Sequence, residues 1–322
     1  MRILIFGAGV IGSIYGYTLQ KAGFDVTHYI RPSSMKQLDK GLILNLLDGR
    51  NKKKLENITD TYKMNIINEL PSFNEFDLIL ISVKHYQLNN ILPIISKKMG
   101  KANILFFNHL WTDFETIDKY IPREKYLWGF PSAGGGFDYQ DANKLNGVIM
   151  DQVYLGEING DVTPRMKTIK QMFNMANIRV SYQQNILHWL WKQFALNAGI
   201  SSMITKSGGA KQFMSDFSSM HEGVLCIREI LKICKSRGVN MKEFGDARAF
   251  FLPSWIATFG FWITMKTNKP QRTIFQLYNG AEEIKQVYYN VLDTSEELNV
   301  SMPVFHNLKD NVDRVEELYQ KK

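Results

Sequence analysis

Only two cysteines, Cys226 and Cys234, occur in the 322 residues, which excludes a fold built on disulfides. They fall eight residues apart on one helical pattern, ~12 Å by helical rise, too far to bridge. A chain without disulfides reads as cytoplasmic. Also missing is any apolar run near the ~18–20 residues of a membrane span, so no membrane partner is expected. The first residues are apolar, but glycines interrupt them within a few positions and no convincing cleavage site follows; no signal peptide is expected. Acids are in deficit, 31 against 39 Lys and Arg, giving a formal charge of +8. The basic excess falls in local runs, Arg50 to Lys54 and then Lys97, Lys98 and Lys101. Such runs are ordinarily solvated loops and helix ends; a basic surface that attracts anions is the competing reading. No zinc-finger spacing, RNP motif or base-reading basic helix is present, so neither a metal nor nucleic acid is expected as a ligand. Internal repeats and low-complexity segments are absent, and the length predicts two domains.

What is present is concentrated at Arg2 to Gly12. Arg2 to Phe6 is almost wholly apolar, as in a strand buried on both faces of a parallel sheet. It runs into Gly7-x-Gly9-x-x-Gly12, and a helical pattern follows to about Lys21. Between a strand and a helix, this is the dinucleotide-binding fingerprint. Gly7 permits a tight turn, Gly9 lets the backbone approach a pyrophosphate, and Gly12 lets the helix pack close to the strand. The helix start, with the N–H groups around Val10 and Ile11, offers a partial positive charge to the phosphates. The alternative is a glycine-rich turn that binds nothing.

Phe24 to Ile30 reads as a second strand. A site that prefers NAD places Asp or Glu at its tip, to accept from the ribose 2′-hydroxyl. Here Tyr29 and Ile30 are followed by Arg31, whose guanidinium can bind a 2′-phosphate, with Ser33 and Ser34 as further donors. This favours NADP as cofactor; a surface arginine before a proline turn is the alternative. Leu42 to Leu47 reads as a strand with a turn at Asp48-Gly49. Asp77 to Val83 and Asn103 to Phe107 are interior strands ending in Lys84 and in Asn108-His109, and polar residues at such ends face the ligand crevice. Lys125 to Phe130 is another strand, followed by Pro131 to Gly136 as a small-residue loop. Val148 to Asp151 and Gln152 to Gly156 read as a late antiparallel addition. Pro164 opens a helix to about Ala176. Beyond it the pattern turns all-α: Ile186 to Ile200, His221 to Arg237 with Gly238 as a stop, and Tyr278 to Leu298. The expected fold is a Rossmann-type doubly wound parallel sheet over 1–180, binding NADP, followed by an all-α domain over 181–322 for substrate and dimer contacts.

These features together resemble the ketopantoate reductase family, the NADPH-dependent 2-dehydropantoate 2-reductases. The matching residues are Gly7-x-Gly9-x-x-Gly12, Arg31, Ser82-Val83-Lys84-x-x-Gln87, Asn108, Leu155-Gly156-Glu157, and Ile186 followed by Leu190-Trp191-x-x-Phe194-Ala195-Leu196-Asn197. Asn279-Gly280 and Val300-Ser301-Met302-Pro303 extend the match across nearly the whole chain. The resemblance implies that the backbone of Gly7, Gly9, Val10, Ile11 and Gly12 holds the pyrophosphate. It also implies that Arg31 takes the 2′-phosphate, that Lys84 and Asn108 line the cofactor cleft, and that Asn197 faces the substrate.

The catalytic half departs from the family. Its proton-donating lysine, four residues before that asparagine, is Gln193 here. Its second asparagine is Ser201, its substrate glutamate is Ile274, and a serine twelve residues before that glutamate is Trp262. Reduction of a carbonyl needs a hydride donor, a proton donor at the oxygen and groups to hold the substrate. Gln193 can donate a hydrogen bond but not a proton. Ile274 and Trp262 favour a bulkier or more apolar carbonyl compound than ketopantoate.

Candidates for the missing acid are His109, where the family has glycine, and Lys192, although one helical step turns a side chain by ~100°. Each has an ordinary structural alternative, and Lys206 and Lys211 read as solvated. His188 reads as a helix-surface partner of Lys192. The aromatics Phe250, Phe251, Trp255, Phe259, Phe261 and Trp262 read as core or homodimer interface, with a pocket wall as the alternative. Two functions follow: an NADPH-dependent reductase of a small-molecule carbonyl substrate with an altered site, or an NADP-binding protein of the same fold with little catalysis, acting as sensor or interaction module.

Overall fold

The computed structural model describes residues 1–31 and 41–320. Ser33 and Ser34 lie outside them. The chain divides into two compact units, Met1–Leu187 and His188–Lys322.

The first unit is built on a mixed sheet. Its strands are β1 (Arg2–Phe6), β2 (Asp25–Tyr29), β3 (Leu42–Gly49), β4 (Glu56–Tyr62), β5 (Asn65–Ile67), β6 (Leu78–Ile81), β7 (Asn103–Phe107), β8 (Tyr126–Phe137), β9 (Lys144–Gly156) and β10 (Arg179–Tyr182). The order is β4-β3-β9-β8-β7-β6-β1-β2-β5, with β10 beside β9. The strands from β8 through β7, β6, β1 and β2 to β5 pair in parallel. Ile3 and Ile5 point to one face of the sheet and Leu4 to the other, and all three are fully buried. Burial on both faces is why these strands are continuous apolar runs rather than alternating ones.

Helix α1 (Val10–Lys21) is buried continuously from Gly12 to Leu19. It presses Tyr15 edge-on against Phe107 and Phe173, with ring centroids 4.8 and 6.1 Å away. The remaining helices of this unit are α2 (Leu88–Ser96), α3 (Glu115–Asp118) and α4 (Pro164–Met175). α4 is started by Thr163, whose side chain accepts from the Met166 N–H, with Pro164 in the first turn.

Three local readings are corrected. Pro131 to Gly136 is not a loop but the second half of β8, which pairs with β9 across a register shift between Pro131 and Ala133. Its small residues are needed for close approach: a Cβ on Gly135 would stand 2.2 Å from the Asn146 carbonyl oxygen. The segments Val148–Asp151 and Gln152–Gly156 are one strand, β9, antiparallel to β8 but parallel to β3 and β10. Asp48 and Gly49 lie inside β3, and the turn comes after them, where Arg50 grips the Asp48 carboxylate and donates to the Ala176 carbonyl.

The second unit has helices joined by turns and no strand among its described residues. Helix α5 (Ile186–Lys206) begins just before the division and is followed by α6 (Ala210–Ser215), α7 (Phe217–Ser236), α8 (Gly245–Ala249), α9 (Ser254–Thr267), α10 (Lys269–Leu277), α11 (Ala281–Glu297) and three short helices to Gln320. Asp216 caps α7 by accepting from the Ser218 and Ser219 N–H groups. Inside the unit the Glu229 carboxylate accepts from the Phe305 N–H at 3.0 Å, and burial pushes its pKa up. Of the two readings of the aromatic segment around α9, core or homodimer interface, burial removes the first. Only Ala257, Thr258 and Met265 of α9 are buried, while Trp255 is 67% exposed and Phe251 and Phe259 about half. Among the described residues no helix is long and apolar enough to cross a membrane.

Candidate active site

The parallel strands β2, β1, β6 and β7 lie side by side and end at the same edge. Gly7 follows β1, Arg31 lies two residues beyond β2, Ser82 to Lys84 follow β6, and Asn108 and His109 follow β7. The four segments that the sequence marked for the cofactor are thus neighbours at the carboxyl ends of adjacent strands, where the order reverses direction about β1.

The three fingerprint glycines have distinct reasons. Gly7 has φ +104°, a conformation that L side chains rarely adopt. At Gly12 a Cβ would stand 2.8 Å from Ser82 Oγ and 3.0 Å from the Gly7 carbonyl oxygen, so the helix can sit this close only without one. Gly9 differs: its φ is −70° and a Cβ there meets none of the described residues within 4 Å. Nothing among the described residues requires glycine at position 9. The space beside it is open, at the N-cap of a helix that has no side-chain cap and no acid in its first turn. Such a helix start is an anion site without competing negative charge.

Asn108 is held firmly and only 7% exposed. Its Nδ2 donates to the Val83 carbonyl at 2.8 Å, and its own carbonyl accepts from Trp128 Nε1 at 2.9 Å. A carbonyl can only accept, so the orientation of the side-chain amide is settled. Asn108 Oδ1 is then a buried acceptor with no hydrogen-bond partner, and Ser82 Oγ is buried and unpartnered likewise. Leaving a buried acceptor unmade costs about 1–3 kcal/mol, a cost that a bound donor would remove. These two atoms, the open space at Gly9 and the bare helix start fit a dinucleotide. Arg31 is exposed. The Lys84 N–H is held by Gln87 Oε1 at 3.3 Å, and the His109 ring meets Phe130 edge-on at 4.8 Å.

Leu155-Gly156-Glu157 has a structural explanation. A Cβ on Gly156 would stand 2.5 Å from Ile186 Cβ. Glu157, 2% exposed, holds the Arg165 guanidinium, with Nε at 2.8 Å from its Oε1.

In the second unit, α5 runs unbroken through the region where the family's lysine would stand. Gln193, Asn197 and Ser201 recur every four residues and are half-buried, forming one polar face. Lys192 points elsewhere. It is 1% exposed, its Nζ lies 2.6 Å from Asp246 Oδ2, and it sits over the rings of Trp189 and Phe244 at 4.7 and 5.5 Å. Burial lowers its pKa, opposed by Asp246. His188 stacks on Trp191 rather than pairing with Lys192. Lys206 is bound to Glu222, Lys211 is exposed, and Trp262 and Ile274 are half-buried. Cys226 and Cys234 are buried free thiols. No three His, Cys, Asp or Glu side chains among the described residues are grouped to hold a metal.

Sequence reasoning missed His28. It lies on β2, fully buried, with Nδ1 2.9 Å from the Gly7 carbonyl oxygen and Nε2 2.9 Å from the Tyr62 hydroxyl. Burial pushes its pKa down to about 4, against the Gly7 carbonyl, which works the other way. A polar residue in alternating register with the apolar, buried Val26 and Ile30 was the available signal.

Residues 3–160 match the family model described as ketopantoate reductase PanE/ApbA. Over that span the chain is similar to the ketopantoate reductase family. A 2-dehydropantoate 2-reductase from Nostoc sp. is 25% identical, covering 96% of this chain and 94% of its own length. Among solved structures, D-mandelate dehydrogenase with NADH and anilino(oxo)acetate aligns with a TM-score of 0.74 at 14% identity, covering 99% of this chain and all of its own. The 2-dehydropantoate 2-reductase from Geobacter metallireducens aligns at 0.69 and 17%, covering 98% and 99%. The ketopantoate reductase fold therefore extends over both units.

Proposed function

We propose that this chain is an NADPH-dependent oxidoreductase that reduces the carbonyl group of a 2-oxo acid or bulkier ketone. One observation carries the reading: open space at Gly9, at the same sheet edge as two buried polar atoms that lack partners, on a ketopantoate reductase fold. The D-mandelate dehydrogenase of the same fold, seen with NADH and a 2-oxo acid derivative, supports a nicotinamide cofactor. When bound, that cofactor supplies hydride to the carbonyl carbon. The first unit is then the cofactor domain and the second the substrate domain. The turn from Gly7 to Gly12 binds the pyrophosphate through its N–H groups. Arg31 pairs with the 2′-phosphate, Asn108 Oδ1 accepts from the cofactor, and Lys84 lines the same edge.

The polar face of Gln193 and Asn197 orients the substrate by hydrogen bonds. His109 would give the proton to the carbonyl oxygen, since an imidazole can carry and release one. Lys192 is a structural cation, held by Asp246. The test is NADPH oxidation over a panel of 2-oxo acids and larger ketones. His109→Ala should lower kcat by about 100-fold, within the range for a general acid, while Lys192→Met keeps it within about threefold of wild type. Equal losses in both would assign the proton to neither. Tight NADPH binding with no turnover on any carbonyl would favour the sensor reading.

The 2′-phosphate makes a second prediction. Arg31→Ala should weaken NADPH binding by about 10-fold or more, the loss of a charge-assisted pair worth ~1.5–3 kcal/mol, and leave NADH binding nearly unchanged. Equal losses for the two nucleotides would remove the case for NADP.

A further inference from the structure

We propose that His28, backed by Tyr62, is a positioning residue that sets the affinity of the glycine turn for a dinucleotide. The inference rests on the reading that a pyridine nucleotide binds there. The tautomer follows from the partners. The Gly7 carbonyl can only accept, so His28 Nδ1 carries the hydrogen and Nε2 accepts from the Tyr62 hydroxyl. Gly7 is thereby tied to β2 on both sides: its N–H donates to the Tyr29 carbonyl at 3.0 Å and its carbonyl accepts from His28. The next residue is fixed as well, because Ser13 Oγ donates to the Ala8 carbonyl at 3.1 Å.

The left-handed Gly7 is the pivot on which the Ala8 and Gly9 N–H groups turn toward a ligand. The His28 bond fixes the orientation of the peptide that links Gly7 to Ala8. Room for the imidazole is made on α1: a Cβ on Gly16 would stand 2.4 Å from His28 Nε2 and 2.7 Å from the Tyr62 hydroxyl. Gly12 and Gly16, one turn apart, thus bring the helix against the Gly7 carbonyl and against the imidazole that holds it. Tyr62 is the last residue of β4, so the chain just ahead of β5 takes part in holding the turn.

The affinities of NADPH and of 2′-AMP, which has the 2′-phosphate but no pyrophosphate, separate this role from a general packing role. His28→Leu keeps bulk but removes the donor. It should weaken NADPH by about 10-fold, one hydrogen bond of ~1.4 kcal/mol, and leave 2′-AMP within about twofold. His28→Asn places an amide N–H near the Nδ1 position and should restore NADPH affinity to within about threefold of wild type. Should His28→Leu fail to fold, Tyr62→Phe carries the test, with NADPH weakened about threefold and 2′-AMP unchanged. NADPH affinity unaltered in His28→Leu, or in Tyr62→Phe where that variant stands in for it, overturns the inference, as does a parallel loss of both ligands. A wild-type protein that binds neither nucleotide overturns the parent reading instead.

Discussion

Gly9→Val loses pyridine-nucleotide binding by roughly a hundredfold or more while unfolding at nearly the wild-type temperature. The reason lies in what surrounds the residue. Its φ of −70° and ψ of −179° are open to valine, and a Cβ there meets none of the described residues within 4 Å. The protein's own cost is only the weak preference against valine at a helix N-cap, about 1 kcal/mol. All of the large effect falls on whatever enters the open space. Gly12→Val is the matched control, since its Cβ would meet Ser82 Oγ at 2.8 Å and the Gly7 carbonyl oxygen at 3.0 Å. That variant should lose stability as well as binding. Calorimetric titration together with thermal unfolding of both variants checks the contrast. Gly9→Val that binds like wild type would mean the turn is idle.

Asp246→Ala destabilises the second unit by about 2–3 kcal/mol, and adding Lys192→Met restores most of it. Lys192 is 2% exposed along its side chain and Asp246 55%. Removing the aspartate strands a buried ammonium over the ring faces of Trp189 and Phe244. Removing one partner of a buried pair costs ~3–5 kcal/mol, and the half-exposed Asp246 places this pair at or below the low end. Methionine preserves the packing of the lysine stem and removes the charge, so the double variant should be more stable than Asp246→Ala alone. Denaturant unfolding of the three variants measures this. A double variant less stable than Asp246→Ala would show that Lys192 contributes by its charge even without its partner.

How far the sequence could be read depends on whether the deciding contact is local. β1, the glycine turn and α1 are adjacent in sequence, and their pattern carries the whole motif. The strand ends at Lys84 and Asn108 follow from apolar runs that stop abruptly. Pro131 to Gly136 was misleading because small residues mark both loops and strands crowded by neighbours; only the Asn146 carbonyl beside Gly135 decides between them. The aromatic segment of α9 reads as core or homodimer interface by composition, and hydropathy alone does not choose between them; Trp255 and Phe259 are exposed in the chain. The burial of Lys192 depends on Asp246, 54 residues away. The role of His28 depends on Tyr62, 34 residues on, and on a carbonyl whose direction the sequence does not encode.

The central claim is that the turn after β1 grips a phosphorylated pyridine dinucleotide, and titration of the wild-type chain with NADPH and NADH in a calorimeter tests it most directly. Saturable heat with both, tighter for NADPH by about 10-fold or more, is the predicted result. Absence of binding heat for either nucleotide across a range of temperatures would contradict it.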